Sequence, residues 1–109
     1  MGKLVYGDGY EIEFGDRELA HLQIVIGLKL RRKEGFFFSW TEEVARGSGR
    51  TAIWIDPSIP LIFRYAGGRF PLVNRAWLDA LTRSSSSARG LQLIDEDDLQ
   101  VAPPPKETS

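Results

Sequence analysis

The chain has no cysteine and only one histidine and one methionine in 109 residues. Without cysteine there are no disulfides, no thiol chemistry and no thiolate metal sites, and the redox compartment leaves no trace in the sequence. Long apolar runs are also missing: none approaches the roughly 20 residues that a membrane-spanning helix needs. The opening MGKLVYGDGYEIEF holds no stretch fit for a signal peptide, and Tyr6 stands where a myristoylation signal wants Ser or Thr. These absences predict a cytoplasmic protein with no membrane partner. Charge of one sign is lacking too, since 14 Lys and Arg face 15 Asp and Glu for a net charge of −1. That balance argues against nucleic-acid binding through overall charge and leaves only a local patch open.

Catalytic constellations are equally sparse. His21 sits inside a helical pattern with Glu18 one turn earlier, where a lone histidine is most often a boundary residue without the cleft and orienting group that general-base work requires. Asp95, Glu96, Asp97 and Asp98 are consecutive, so an extended chain would point them in alternating directions, and the DxDxDG spacing of a calcium loop is absent. Gly7-Asp8-Gly9 and Gly67-Gly68 are too short for phosphate loops and read as turns. The four serines at 84–87 have neither a lysine at hydrolase spacing nor a glycine elbow, and read as a linker. The sequence therefore implies no catalytic residue, no metal and no cofactor.

What is present is apolar material for one small core: 42% hydrophobic residues, including three Trp and six Phe. The stretch from Asp16 to Gly35 is the one long helical pattern. At about 100° per residue, Leu19, Leu22, Ile26 and Leu30 form a core stripe. Ala20, Ile24 and Leu28 fall nearly opposite, with Gly27 beside them to permit close approach of another backbone. Either the second helix and the C-terminal strand cover this second stripe, or it meets a copy of itself or another protein. Asp16 is placed to cap the first turn, and Arg31, Arg32 and Lys33 suit the negative end of the helix before Gly35.

The remainder reads as strands and turns. Lys3–Tyr6 and Tyr10–Phe14 flank the glycine turn as a hairpin, with Tyr10, Ile12 and Phe14 inward and Glu11 and Glu13 outward. Phe36, Phe38 and Trp40 share one face of a strand, and Phe37, Ser39 and Thr41 the other. Val44–Gly49 reads as a flexible connection, followed by strands at Thr51–Ile55 and Leu61–Tyr65, so that three strands in succession suggest a meander. Asn74 caps a second helix from Arg75 to about Thr82, with Trp77, Ala80 and Leu81 buried. Gly90–Ile94 supplies a last strand. The predicted architecture is one α+β domain over residues 1–95, a mainly antiparallel sheet of about five to six strands with one long and one short helix on one side. Residues 96–109, acidic and then Pro-rich, read as a disordered tail.

Two candidate surfaces follow. Ala20, Ile24, Gly27 and Leu28 form a protein interface, for a homodimer or another protein. Lys29, Arg31, Arg32, Lys33, Arg46 and Arg50, beside the aromatics Phe37 and Trp54, form a candidate nucleic-acid surface, since arginines next to aromatics suit phosphate contacts and base stacking.

Taken together, MGKLVYG, the alternating YEIEF, the run DRELAHLQIVIGLKLRRKEGFFFSW, the segment TAIWIDPSIPLIFRY, and NRAWLDAL followed by GLQLI resemble a family of small actinobacterial and phage-encoded proteins, over roughly residues 1 to 95. The resemblance implies a domain of unknown function that often carries the label ATP-dependent DNA ligase, and with it a link to DNA repair. A nucleotidyl-transferring ligase resembles KxDGxR at its active site, where the lysine takes AMP. Here Asp8-Gly9 is the nearest match and Tyr6 occupies the lysine position. The expectation is a non-enzymatic interaction module that self-associates or binds protein through the long helix, with a DNA-binding accessory role as the alternative.

Overall fold

Gly7 and Gly9 adopt positive φ, +64° and +106°, and this lets the chain reverse within three residues between β1 (Gly2–Tyr6) and β2 (Tyr10–Phe14). The two strands pair antiparallel with Leu4 opposite Ile12 and Tyr6 opposite Tyr10. The structure, a computed structural model, describes residues 1–44 and 47–101. Within these, α1 (Asp16–Arg31) follows the hairpin. It is succeeded by β3 (Phe36–Val44), β4 (Gly47–Ile55), β5 (Leu61–Arg64), α2 (Arg75–Ser85), β6 (Leu91–Gln92) and a short α3 (Glu96–Val101).

The α+β class holds, but the single sheet does not. The strands divide into two three-stranded sheets, ordered β2-β1-β5 and β4-β3-β6. The expected meander fails at the Asp56–Pro60 turn. The Asp56 carboxylate accepts bonds from the Ser58 backbone N–H and hydroxyl, Pro57 and Pro60 supply no N–H, and the Gly7 N–H donates to the Pro60 carbonyl at 2.9 Å. This turn carries the chain away from β4 and lays β5 against β1, with Leu4 opposite Phe63. Nor is the pairing wholly antiparallel: β6 runs parallel to β3, matching Phe38 to Leu91. Tyr6 joins the sheets, its hydroxyl donating to the Trp54 carbonyl at 2.6 Å and accepting from the Asp56 N–H at 2.9 Å.

The core stripe of α1 is as the period demands. Leu19, Leu22 and Ile26 are fully buried and Leu30 packs at the edge, together with Leu4, Phe14, Phe38, Trp40, Ile55, Trp77, Leu81 and Leu91. Removing a Leu or Ile side chain of this kind from water contributes about 1.5–3 kcal/mol. Phe14 bridges the two sheets, its ring 6.0 Å from Phe38 and 5.9 Å from Trp40.

The helix ends differ from expectation. Gly15, not Asp16, is the cap of α1, with its N–H held by Glu18 at 3.1 Å. Asp16 instead turns outward and accepts from the N–H groups of Ala66 and Gly67, 3.0 and 2.8 Å away, so it fastens the loop after β5. At the other end Lys33 takes φ of 59°, its N–H bonding to the Leu30 carbonyl while that of Glu34 reaches the Lys29 carbonyl. Those two bonds make a Schellman closure whose left-handed position, usually glycine, is a lysine. The helix thus stops at Arg31, ahead of Gly35.

Three further boundaries move. Of the connection read at Val44–Gly49, Val44 ends β3 and Gly47–Gly49 belong to β4, while residues 45 and 46 lie outside the described residues. Ser84 and Ser85 continue α2 past Thr82, and Ser84 is no linker: its hydroxyl donates to the Leu81 carbonyl at 2.9 Å and accepts from the Gln92 N–H at 3.1 Å, tying helix to strand. Glu96, second in the acidic stretch and the first residue read as tail, lies in α3 and is bound by Arg17.

Candidate functional site: an aromatic and cationic surface at the end of the long helix

Alternation along β3 sends Phe36, Phe38 and Trp40 to one face and Phe37 and Ser39 to the other, where Ser39 is covered and Phe37 is not. Phe36, Phe38 and Trp40 are buried, and Phe37 is left outside at 49% exposure. The register of β3 with β4 places Trp54 directly opposite, 48% exposed, and the two rings meet edge to face with centroids 5.1 Å apart. One side of the Trp54 indole lies on Gly35, where a Cβ would sit 2.6 Å from a ring carbon, so any side chain there would have to push the indole aside. The indole N–H reaches the Asp56 carboxylate at 3.4 Å. Two bonds from Ser58 lead the causes that hold that carboxyl below its usual range.

Around this pair the end of α1 brings cations. One shallow hollow joins Phe37 and Trp54 to Lys29 and Ser86; a second joins Trp54 to Lys33; a third joins Lys29 and Arg32 to Leu28 at the seam between α1 and α2. Leu28 is 43% exposed. Leu28 of one surface inferred from sequence and Lys29, Arg32 and Lys33 of the other therefore share one end of the molecule, in an order running Leu28, Lys29, Phe37, Trp54, Lys33. Lys29 is partly spent on an ion pair with Glu34 at 3.4 Å.

The remaining candidates divide. Ala20 is wholly buried and offers no surface, while Ile24 and Gly27 are half-buried, and apart from the helix's own backbone nothing among the described residues stands within 4 Å of a Cβ placed on Gly27. The stripe is thus partly consumed inside the fold, where α2 packs on α1. Arg31, Arg32 and Lys33 are exposed. Arg50 lies farther along β4, opposite Thr41, with its guanidinium 3.4 Å from the Ser39 hydroxyl. Arg46 lies outside the described residues.

His21, the boundary residue of the sequence reading, is fully buried. Its Nε2 accepts from the Asn74 N–H at 2.9 Å and its Nδ1 lies 2.8 Å from the Arg17 carbonyl, a pair of bonds that only the neutral Nδ1–H tautomer satisfies. The ring lies 4.4 Å from that of Trp77. It is a packing and hydrogen-bonding residue with both nitrogens engaged. Among the described residues no group of three His, Asp or Glu side chains converges as a metal site, and no helix is long and apolar enough to cross a membrane.

Sequence reasoning picked out Phe37 and Trp54 as exposed aromatics but had no signal that they touch, because nothing in the chain order fixes which β4 residue faces Phe37. A family model described as a domain of unknown function (DUF7882) matches residues 1–96. No curated protein and no solved structure matches the chain.

Proposed function

The chain belongs to the DUF7882 family, a domain of unknown function, and from its own geometry we propose that it is a non-enzymatic interaction module whose working surface is the Leu28, Phe37 and Trp54 end of the fold. The observation that carries this reading is the exposed Phe37–Trp54 pair. Two large rings half in water lose little conformational freedom on binding and remove much apolar area from solvent when covered, which is why Trp and other aromatics anchor protein interfaces. The contact is with protein, either a second copy or a different chain. The test is light scattering of the wild type and of Phe37→Ser with Trp54→Ser, alongside affinity capture from a host lysate. Association that disappears in the folded variant supports the reading. A wild type that stays monomeric and captures nothing the variant does not also capture rejects it.

A second reading has its own observation. Lys29 borders both rings and Lys33 borders Trp54, with Arg32 sharing the neighbouring hollow with Lys29, an arrangement of cations beside aromatics in which bases stack and phosphates are neutralised. It makes the module a DNA-binding accessory. Phosphate-dominated binding must weaken steeply with salt, so anisotropy of labelled single-stranded and nicked DNA at low and near-physiological salt separates it from protein binding. Absence of binding at low salt removes it.

A further inference from the structure

The opposite end of the molecule holds a different feature. A groove of about 610 Å³ runs along β2, with Tyr10–Phe14 on one wall and Trp40–Glu42 of β3 on another. Five consecutive residues line it because the strand presents its edge. The only strand β2 pairs with among the described residues is β1, so on its other side alternate N–H and C=O groups are directed away from the sheet. The facing stretch of β3 is open as well. Its pairing with β6 ends at Ser39, whose carbonyl accepts the Leu93 N–H at 2.9 Å, and Trp40–Glu42 have no strand on that side among the described residues.

The groove has a definite charge. Glu11, Glu13, Glu18 and Glu42 line it and no lysine or arginine does; an adjoining hollow that shares Glu18 adds Asp95 and Asp98. Some of this charge is engaged. Lys3 pairs with Glu11 at 3.1 Å, Glu18 holds the Gly15 N–H, and Glu42 accepts the Trp40 indole N–H at 2.8 Å. Glu13 is exposed and makes no side-chain hydrogen bond or ion pair among the described residues.

The geometry points to strand addition: this edge takes an extended peptide segment with Lys or Arg at alternate positions and apolar residues between them. The alternation of β2 dictates that pattern. Ile12 and Phe14 face the core side and Glu11 and Glu13 the outer side, so a strand in register beside them meets apolar groups on one face and carboxylates on the other. A second copy of β2 is disfavoured as occupant, because it would bring its own Glu11 and Glu13 against these.

The experiment screens the full chain against a display library of octapeptides alternating Lys or Arg with Val, Ile or Tyr, and against a matched library carrying Asp or Glu at the charged positions. Selected peptides are resynthesised with N-methyl groups on alternate amides. Expected are binders from the cationic library alone, a loss of at least tenfold on N-methylation and on Glu13→Lys, and backbone amide shifts centred on β2 and Trp40–Glu42. Phe37→Ser with Trp54→Ser leaves this binding unchanged, so its outcome is independent of the surface at the other end. An empty cationic library, equal selection from the acidic one, or binders indifferent to N-methylation would each overturn the proposal.

Discussion

Arg17 donates through Nε and Nη2 to both carboxylate oxygens of Glu96, at 2.8 and 2.7 Å, joining the first turn of α1 to the first turn of α3 across 79 positions of sequence. Its Nη1 also donates to the Leu72 carbonyl at 2.7 Å, and Glu96 accepts from the Asn74 side-chain amide at 2.7 Å. Asn74 in turn caps α2 through Trp77 N–H and donates its own N–H to His21. One ion pair thus closes a ring of bonds around the N-terminal ends of three helices.

The pair makes stability depend on acid. The Arg17 hydrogen bonds, with help from Asn74, hold the Glu96 carboxyl down to about 2 from its ordinary 4.5. A carboxyl lowered on folding contributes stability that is fully present above the unfolded value and is lost as pH falls from about 4.5 toward 2. Glu96→Gln should therefore lower stability by about 1–2 kcal/mol near pH 7, a charge-assisted bidentate bond being lost. Urea titrations should show the gap to wild type closing across that acid window. A gap that stays constant with pH would separate the pair from the effect.

His21→Leu should cost about 1–3 kcal/mol, since it leaves the Asn74 N–H without its ring partner at a partly buried position, while the Arg17 carbonyl keeps its place in the α1 hydrogen-bond ladder. Chemical denaturation measures it. A loss under about 0.5 kcal/mol would mean that another group takes over the bond from Asn74.

Lys33→Gly should stabilise the chain by about 0.5–1 kcal/mol. The residue sits at φ of 59°, where a Cβ is penalised and glycine is not. For a domain of this size that gain corresponds to a rise of roughly 2–8 °C in the melting temperature, which a thermal melt resolves.

Gly90→Ala should have the opposite sign and a larger size. Gly90 has φ of +83°, and an added Cβ would stand 2.4 Å from the Phe37 carbonyl oxygen, against backbone that cannot swing aside. Loss of the β3 and β6 pairing, read as faster hydrogen exchange at Gln92 and Leu93, is the expected outcome, with several kcal/mol of stability.

Phe37→Ser with Trp54→Ser should lower stability by about 2–4 kcal/mol, because half of each ring is buried and the two meet edge to face. The variant should remove association. A variant that unfolds would show the pair to be structural.

The sequence by itself determined whatever depends on local period and local turns. The hairpin at Gly7–Gly9, the core stripe Leu19, Leu22 and Ile26, the inward Phe36, Phe38 and Trp40, and the Asn74 cap with Trp77 and Leu81 buried all follow from alternation, from 3.6-residue spacing and from which residues tolerate positive φ. Tertiary structure decided everything that requires two distant segments to meet. The division into two sheets turns on β5 finding β1, and the aromatic surface turns on Phe37 meeting Trp54. His21, a boundary residue by its place in the helix, is buried with Asn74, 53 positions away, bringing its N–H to the ring. Glu96 belongs to a closing bond because Arg17 reaches it. Periodicity states which side of an element is apolar. Only the packed chain states what lies against that side.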